Sequence, residues 1–261
     1  MRIACWQAAC EAPGLPRFLE RLRAVARRAA DAGAELLITP EMSVGGYPLR
    51  PATLAEAAGP LDGPQCEAVS AIAREFGIAL VHGWPESDGP DVYNSARLVD
   101  PHGTTLASYR KAHLFGDVDR TWFAPGADGV VQASLGGLTV GLLICYDVEF
   151  PEAVRAHALA GTDLLVVPTA LMQPWEFIPR TIVPARAFES QLFIAYTNWI
   201  GERHGLRFSG LTTVAAPDGT RTVLEAPRED LLITEVDPAV ITAARKATPY
   251  LTDRRPDLYT P

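Results

Sequence analysis

Cysteine is scarce in this 261-residue chain, which carries only Cys5, Cys10, Cys66 and Cys145. Four thiols at irregular spacing do not make a disulfide framework, so free cysteines in a reducing, cytoplasmic setting are expected. Long apolar runs are also missing, and none approaches the ~20 residues of a membrane helix. The opening MetArgIleAlaCysTrpGlnAla is broken too soon for a signal peptide and reads as a first strand. Basic residues are the minority, 23 against 31 acidic, giving a formal net charge of −8. That balance argues against a nucleic-acid surface and against attraction to anionic membranes. There is no basic run and no low-complexity segment.

Several chemical signatures are lacking as well. The chain has no G-x-S-x-G serine elbow, no phosphate-binding G-x-x-x-x-G-K-S/T loop and no G-x-G-x-x-G fingerprint. Its five histidines (His82, His102, His113, His157, His204) include no H-x-x-x-H pair, and no cysteine cluster has zinc spacing. A Ser/His triad and a bound metal are therefore poorly supported, and no cofactor is expected.

What is present is an alternation of strands and helices. Residues 2–8 read as a strand, and 15–32 as an amphipathic helix with Leu15, Phe18, Leu22, Val25 and Ala29 on one face. Strands are expected at 35–39, 78–83, 92–99, 104–110, 129–134, 138–144, 163–168, 191–197, 207–216 and 231–236. Helices are expected at 64–76, 151–160, 176–189 and 238–246. No Pro/Gly/Ser-rich linker interrupts the series, so residues 1–261 read as a single α/β domain. Because many strands are short, two sheets between outer helix layers fit better than one very wide sheet.

Three apolar strands end on a reactive side chain: LeuLeuIleThrPro delivers Glu41, AlaSerTyrArg delivers Lys111, and LeuLeuIle delivers Cys145. In α/β folds ligands bind at the carboxyl ends of strands, where these endings could converge. Taken singly, each has a plainer reading: a core thiol, a solvated carboxylate, a solvated ammonium. Together they supply a nucleophile, a base and a cation. A thiol needs such neighbours to react, and Pro151-Glu152 places a helix start just after Cys145.

These segments resemble the nitrilase superfamily of carbon–nitrogen hydrolases. ThrProGluMet carries Glu41, TyrArgLysAlaHisLeuPhe carries Lys111, and IleCysTyrAspValGluPheProGlu carries Cys145. The resemblance runs nearly end to end and includes ProThrAla at 168–170, AlaArgAlaPheGlu at 185–189 and AspGlyThr near 218. It implies a four-layer α-β-β-α sandwich that associates through outer helices into a homodimer or larger oligomer. It also implies a Glu41–Lys111–Cys145 triad, with Lys111 and the backbone N–H of Tyr146 holding an oxyanion. HisLeuPheGly, CysTyrAsp with PheProGlu, and ProTyrLeuThrAsp are similar to the aliphatic amidases related to 5-aminopentanamidase and R-stereoselective amidase. The implied reaction hydrolyses a small amide to acid and ammonia through a thioester. A nitrilase or N-carbamoyl amide hydrolase with the same triad is the alternative, and a non-catalytic binding protein is a third reading.

Three details bear on specificity and assembly. Many family members carry a second glutamate where this chain has Asp119; it either positions Lys111 or the substrate amide, or pairs with Arg120. Glu149 stands where relatives acting on dicarboxylic monoamides have arginine, and Glu176 lies in ProTrpGluPhe. Either carboxylate would favour an ω-amino amide such as 5-aminopentanamide, unless Glu149 pairs with Arg155 or caps the helix at Pro151. The tail, 247–261, carries Tyr250, Leu251, Leu258 and Tyr259 and is expected at a subunit interface.

Overall fold

Strand β1 (Arg2–Ala9) is apolar on both faces, and the structure shows why. Ile3 and Cys5 point into one core while Ala4 and Trp6 point into another, the period-2 alternation of a strand buried on both sides. The computed structural model describes residues 1–11, 14–48, 50–225 and 227–259. Chain order continues through α1 (Leu15–Asp31), β2 (Leu36–Ile38), α2 (Pro51–Ala57), α3 (Pro64–Phe76), β3 (Ala79–Asp88), β4 (Asp91–Val99) and β5 (Thr105–Arg110). Then come α4 (Gly116–Arg120), β6 (Gln132–Leu135), β7 (Leu138–Leu142), α5 (Pro151–Leu159), β8 (Leu164–Pro168), α6 (Val183–Ser190) and β9 (Phe193–Thr197). The last elements are β10 (Trp199–Arg203), β11 (Leu206–Ser209), β12 (Thr212–Ala215), β13 (Arg221–Leu224), β14 (Asp230–Glu235), α7 (Pro238–Ala247) and α8 (Tyr250–Asp253).

The strands form two sheets. One runs β11-β10-β1-β2-β3-β4-β5, with β14 antiparallel along Arg2–Gln7 and β10 taking up Ala8 and Ala9 beyond it. The other runs β13-β12-β9-β8-β7-β6. Within the first, β1, β2 and β3 are parallel; within the second, β7, β8 and β9 are parallel. Helices α1 and α3 cover the first sheet, burying Phe18, Leu22, Val25, Val69 and Ile72 against Trp6, Leu37 and Leu80. Each such side chain contributes about 1.5–3 kcal/mol when fully buried. Helices α5 and α6 cover the second sheet through Val154, Ala158, Val183 and Ala187. The architecture is the expected four-layer α-β-β-α sandwich.

Boundaries follow local chemistry. Helix α3 starts at Pro64, whose missing N–H costs nothing there, and stops at Gly77 in the left-handed region (φ 61°). The strand expected at 207–216 is two strands, because Gly210 and Leu211 both take positive φ and break the ladder. The helix expected from 176 opens as a π-turn at Ile178–Ile182, which contains Pro179, before α6 begins. Among the described residues no helix is long and apolar enough to cross a membrane. Residues 260 and 261 of the expected tail lie outside the described residues.

Candidate active site

Glu41 follows β2, Lys111 follows β5 and Cys145 follows β7, so three strand ends from the two sheets meet at one place. Thr169 and Ala170, just past β8, complete the group, since the Glu41 N–H donates to Thr169 O at 3.3 Å. Glu41 and Lys111 are each only 1% exposed, so both charges depend on their partners. Lys111 Nζ donates to Glu41 Oε1 and to Asp119 Oδ2, both at 2.7 Å. Asn94 Nδ2 donates to the same Glu41 Oε1 at 2.7 Å. The other oxygen, Oε2, is buried with no hydrogen-bond partner. Trp199 Nε1 ties down the Glu41 carbonyl at 2.9 Å.

Backbone packing lets the Glu41 turn approach β3 closely. A Cβ added at Gly83 would lie 2.6 Å from Met42 N and 3.3 Å from the Glu41 carbonyl carbon. On the lysine side, Gly126 performs the same service: a Cβ there would sit 2.1 Å from Arg110 O. Strand alternation separates the two adjacent cations. Arg110 turns outward to Glu86 (2.6 Å) and Asp88 (2.9 Å), while Lys111 turns inward.

Cys145 begins a 3-10 turn, Cys145–Glu149, and has φ +45°. A non-glycine residue held there costs of order 1–3 kcal/mol, and such strain concentrates at functional sites. Tyr146, the second residue of this turn, has its N–H in the part of a helix start that lacks an intrahelical acceptor. Burial, then the charge of Glu41, pushes the Cys145 thiol well above its usual pKa; Lys111, the Ala170 N–H and the Thr169 hydroxyl oppose this. The resting group is a thiol. Burial, then the neighbouring Asp119, also pushes Glu41 up against the pull of Lys111 and Asn94, giving a carboxylate disposed to accept a proton. Although burial opposes it, Asp119 and Glu41 hold the Lys111 ammonium firmly charged.

Asp119 pairs with Lys111, not with Arg120. It also accepts from Tyr47 OH at 3.0 Å and from the Phe115 N–H at 2.9 Å. Cys145 opens on a pocket of ≈ 190 Å³ lined by Phe115, Tyr146, Glu149, Ala170, Leu171, Met172 and Trp175. Another cleft, ≈ 80 Å³ beside Gly14, Gly45, Thr53 and Gln65, has none of Glu41, Lys111 and Cys145 in its lining.

Glu149 lines the Cys145 pocket, and among the described residues no hydrogen bond or ion pair to its carboxylate is found. Neither plainer reading of it holds geometrically: Arg186 bonds its carbonyl instead, and Phe150 caps α5 without a side-chain bond. Burial raises the Glu149 carboxyl to about 7, against the pull of Lys111 and Arg186. In the following segment it is Trp175 that lines the pocket; Glu176 is its half-buried neighbour. Sequence reading missed Asn94, Tyr47 and Thr169. No sequence signal singled out Asn94, since β4 also buries Ser95 and Arg97. Among the described residues, no three His, Cys, Asp or Glu side chains are grouped to hold a metal ion.

A family model described as carbon-nitrogen hydrolase matches residues 2–246. The chain belongs to the carbon–nitrogen hydrolase family. It is 41% identical over 261 residues to the "hydrolase in pqqF 5'region" of Pseudomonas protegens, covering 99% of this chain and 90% of that one. It is 38% identical over 236 residues to an (R)-stereoselective amidase of a Pseudomonas species, covering 90% and 84%. Among solved structures of this hydrolase fold, the amidase from Nesterenkonia sp. AN1 superposes with a TM-score of 0.88 at 36% identity, covering 99% of this chain and 98% of that chain. That structure shows acrylamide added at the active site cysteine, and another structure of the same amidase holds butyramide.

Proposed function

We propose that this carbon–nitrogen hydrolase is an amidase that converts a small aliphatic amide to a carboxylic acid and ammonia through a Cys145 thioester. What carries the reading is a thiol opening on an apolar pocket, backed by a buried base and a buried cation. Because the thiol rests protonated, attack on the amide carbon requires a base at that moment, and Glu41 with its free Oε2 is suited to it. The developing oxyanion is held by Lys111, two of whose three ammonium hydrogens are already committed, and by the Tyr146 N–H. Protonated Glu41 then gives its proton to the departing ammonia. Water attacks the thioester with Glu41 again as base, the C–S bond breaks to release the acid, and Glu41 returns the proton to the Cys145 sulfur.

The finer substrate reading rests on Glu149. An unpaired carboxylate on an otherwise apolar, aromatic wall favours an amide whose far end is cationic or neutral over one ending in an acid. An ω-amino amide such as 5-aminopentanamide is the first choice. The outer helices α5 and α6, with the tail beside them, are proposed as the surface of a homodimer or larger oligomer.

The test is ammonia release from a panel of aliphatic amides, nitriles and carbamoyl compounds, with wild type and Cys145→Ala side by side. Amides are expected to react, and Cys145→Ala to be inactive at an unchanged melting temperature. Turnover of nitriles or carbamoyl compounds in preference to amides would replace this reading. Full activity in Cys145→Ala would remove the mechanism.

A further inference from the structure

Two residues beyond the nucleophile lies a carboxylate that this mechanism does not use. Asp147 is fully buried and accepts from four donors. On Oδ2 these are the Ile144 N–H at 3.1 Å and the Tyr109 hydroxyl at 3.0 Å. On Oδ1 they are the His113 N–H at 2.9 Å and His113 Nδ1 at 2.7 Å. A carboxylate can only accept, so Nδ1 carries the hydrogen. The Asp147 N–H in turn donates to Ile144 O at 3.1 Å. Cys145, with its positive φ, is therefore enclosed in a turn that Asp147 ties twice to Ile144. The other donors, Tyr109 and His113, flank Lys111 two residues before and two residues after it. One buried group thus binds the nucleophile turn to the strand end that presents the cation.

His113 is the part of this network that reaches solvent. Its ring stacks on Phe150 with centroids 3.9 Å apart, Phe150 meets Tyr146 edge-on at 4.9 Å, and Tyr146 meets Phe115 at 5.3 Å. Tyr146 and Phe115 line the Cys145 pocket. The titratable and charged groups facing His113 are Asp147 on the nucleophile turn, Tyr109 on β5, Glu152 on α5, and Arg120, which lines the same outer groove.

We propose that Asp147 is a positioning residue that sets the Cys145 turn against Lys111, and that His113 is the solvent-facing arm through which this placement responds to pH. The bond to Asp147 raises the His113 pKa above its ordinary value against partial desolvation, and the charges of Asp147 and Glu152 add to it. His113 is therefore cationic below that raised value, where its pairing with Asp147 is strongest. The pairing weakens as pH rises through it.

The inference rests on the amidase reading of Cys145 and Lys111, so two readouts keep the two apart. Removing Asp147 outright would leave four donors without their acceptor, so the variants are Tyr109→Phe and His113→Gln. Each is measured by kcat and KM on butyramide and, independently, by the rate of iodoacetamide alkylation at Cys145 followed by peptide mass. Each variant is expected to slow both kcat and alkylation about tenfold, as displaced reacting groups do, with KM nearly unchanged. The double variant should be little slower than the worse single one, because both act through Asp147. The wild-type rate should also carry an alkaline-side ionisation that His113→Gln lacks. Slowed alkylation in a protein that turns over no amide would end the amidase reading and leave the positioning role standing. Wild-type kcat and alkylation in both variants, full additivity, or an unchanged pH profile in His113→Gln would overturn it.

Discussion

At the scale of single residues the site is a question of charge bookkeeping in a dry interior. One ammonium, Lys111, faces two carboxylates, Glu41 and Asp119, and all three are buried. Replacing Lys111 by methionine leaves both acids without a counter-ion, and breaking a buried pair in this way costs about 3–5 kcal/mol. Glu41, whose pKa burial already raises, would lose the ammonium that opposes that rise, so the penalty is full at neutral pH and is relieved as pH falls. Thermal melts of Lys111→Met should therefore lie well below wild type in neutral buffer and approach it in acid. Its kcat should fall by about 10²–10³, the usual loss for one oxyanion donor, with little change in KM. Lys111→Arg should not restore it, because a planar fork cannot replace a compact ammonium. A variant with only a raised KM would assign Lys111 to binding. Glu149 carries a second pH signature. With its carboxyl raised to about 7, it is charged above that pH and neutral below it. The kcat/KM ratio of 5-aminopentanamide to glutaramate should thus be largest on the alkaline side, fade as pH falls, and become flat in Glu149→Gln. If glutaramate is the better substrate at alkaline pH, the charge argument fails and Glu149 is structural.

Elements explain why these residues stand where they do. The runs before Glu41 and Cys145 were legible as strands because nearly every residue is apolar and buried, and the one before Lys111 because its buried positions alternate with open ones. Their endings at one place follow from the parallel pairing of β1, β2 and β3 and of β7, β8 and β9, and from two antiparallel pairings through β4 that leave β5 running with β3. The short helices α2 and α4 and the strands β10 and β13 were not legible, since four to seven residues carry too little periodicity to separate from loop. Nor was the role of Gly83, which sequence alone presents as a strand's last residue. In the structure it is the point of closest approach between β3 and the Glu41 turn, and the turn is held there by Val44 N–H to Gly83 O at 2.9 Å. Gly83→Ala should force Met42 and Glu41 away from β3. The expected result is a loss of stability of about 1–3 kcal/mol, as for other overpacked cores. A drop in kcat of about tenfold or more should accompany it, because the base is displaced. Denaturant melts and steady-state kinetics on one amide check both, and wild-type kcat would mean that Glu41 is placed by Asn94 and Lys111 alone.

For the molecule as a whole, the contacts that sequence could not reveal are those between distant segments. The pairing of Arg2 with Glu235 across β1 and β14 joins residues 233 positions apart, and Tyr47 reaches Asp119 across 72 positions. Local patterns give no register for such pairs. The same limit applies to the tail, whose lack of period gave no partner for it within the chain. In the structure α8 lies against α6: Tyr250 meets Phe188 edge-on at 5.8 Å, and Gln191 Nε2 donates to Ala244 O at 3.2 Å and to Thr248 O. That docking does not bury its apolar side chains. Leu258 and Tyr259 remain 64% and 67% exposed, and Phe188 and Tyr250 stay partly open on α6 and α8. Exposed apolar and aromatic groups are enriched in interface cores, and the oligomer proposed above would cover these. Truncation after Ala247 should act in two ways. It removes an acceptor of Gln191 and the cover of Phe188, so the melting temperature should fall. It also removes the exposed residues, so the elution volume on a sizing column should shift toward the smaller species. A truncated chain with unchanged elution and melting behaviour would show that the tail contributes to neither assembly nor stability.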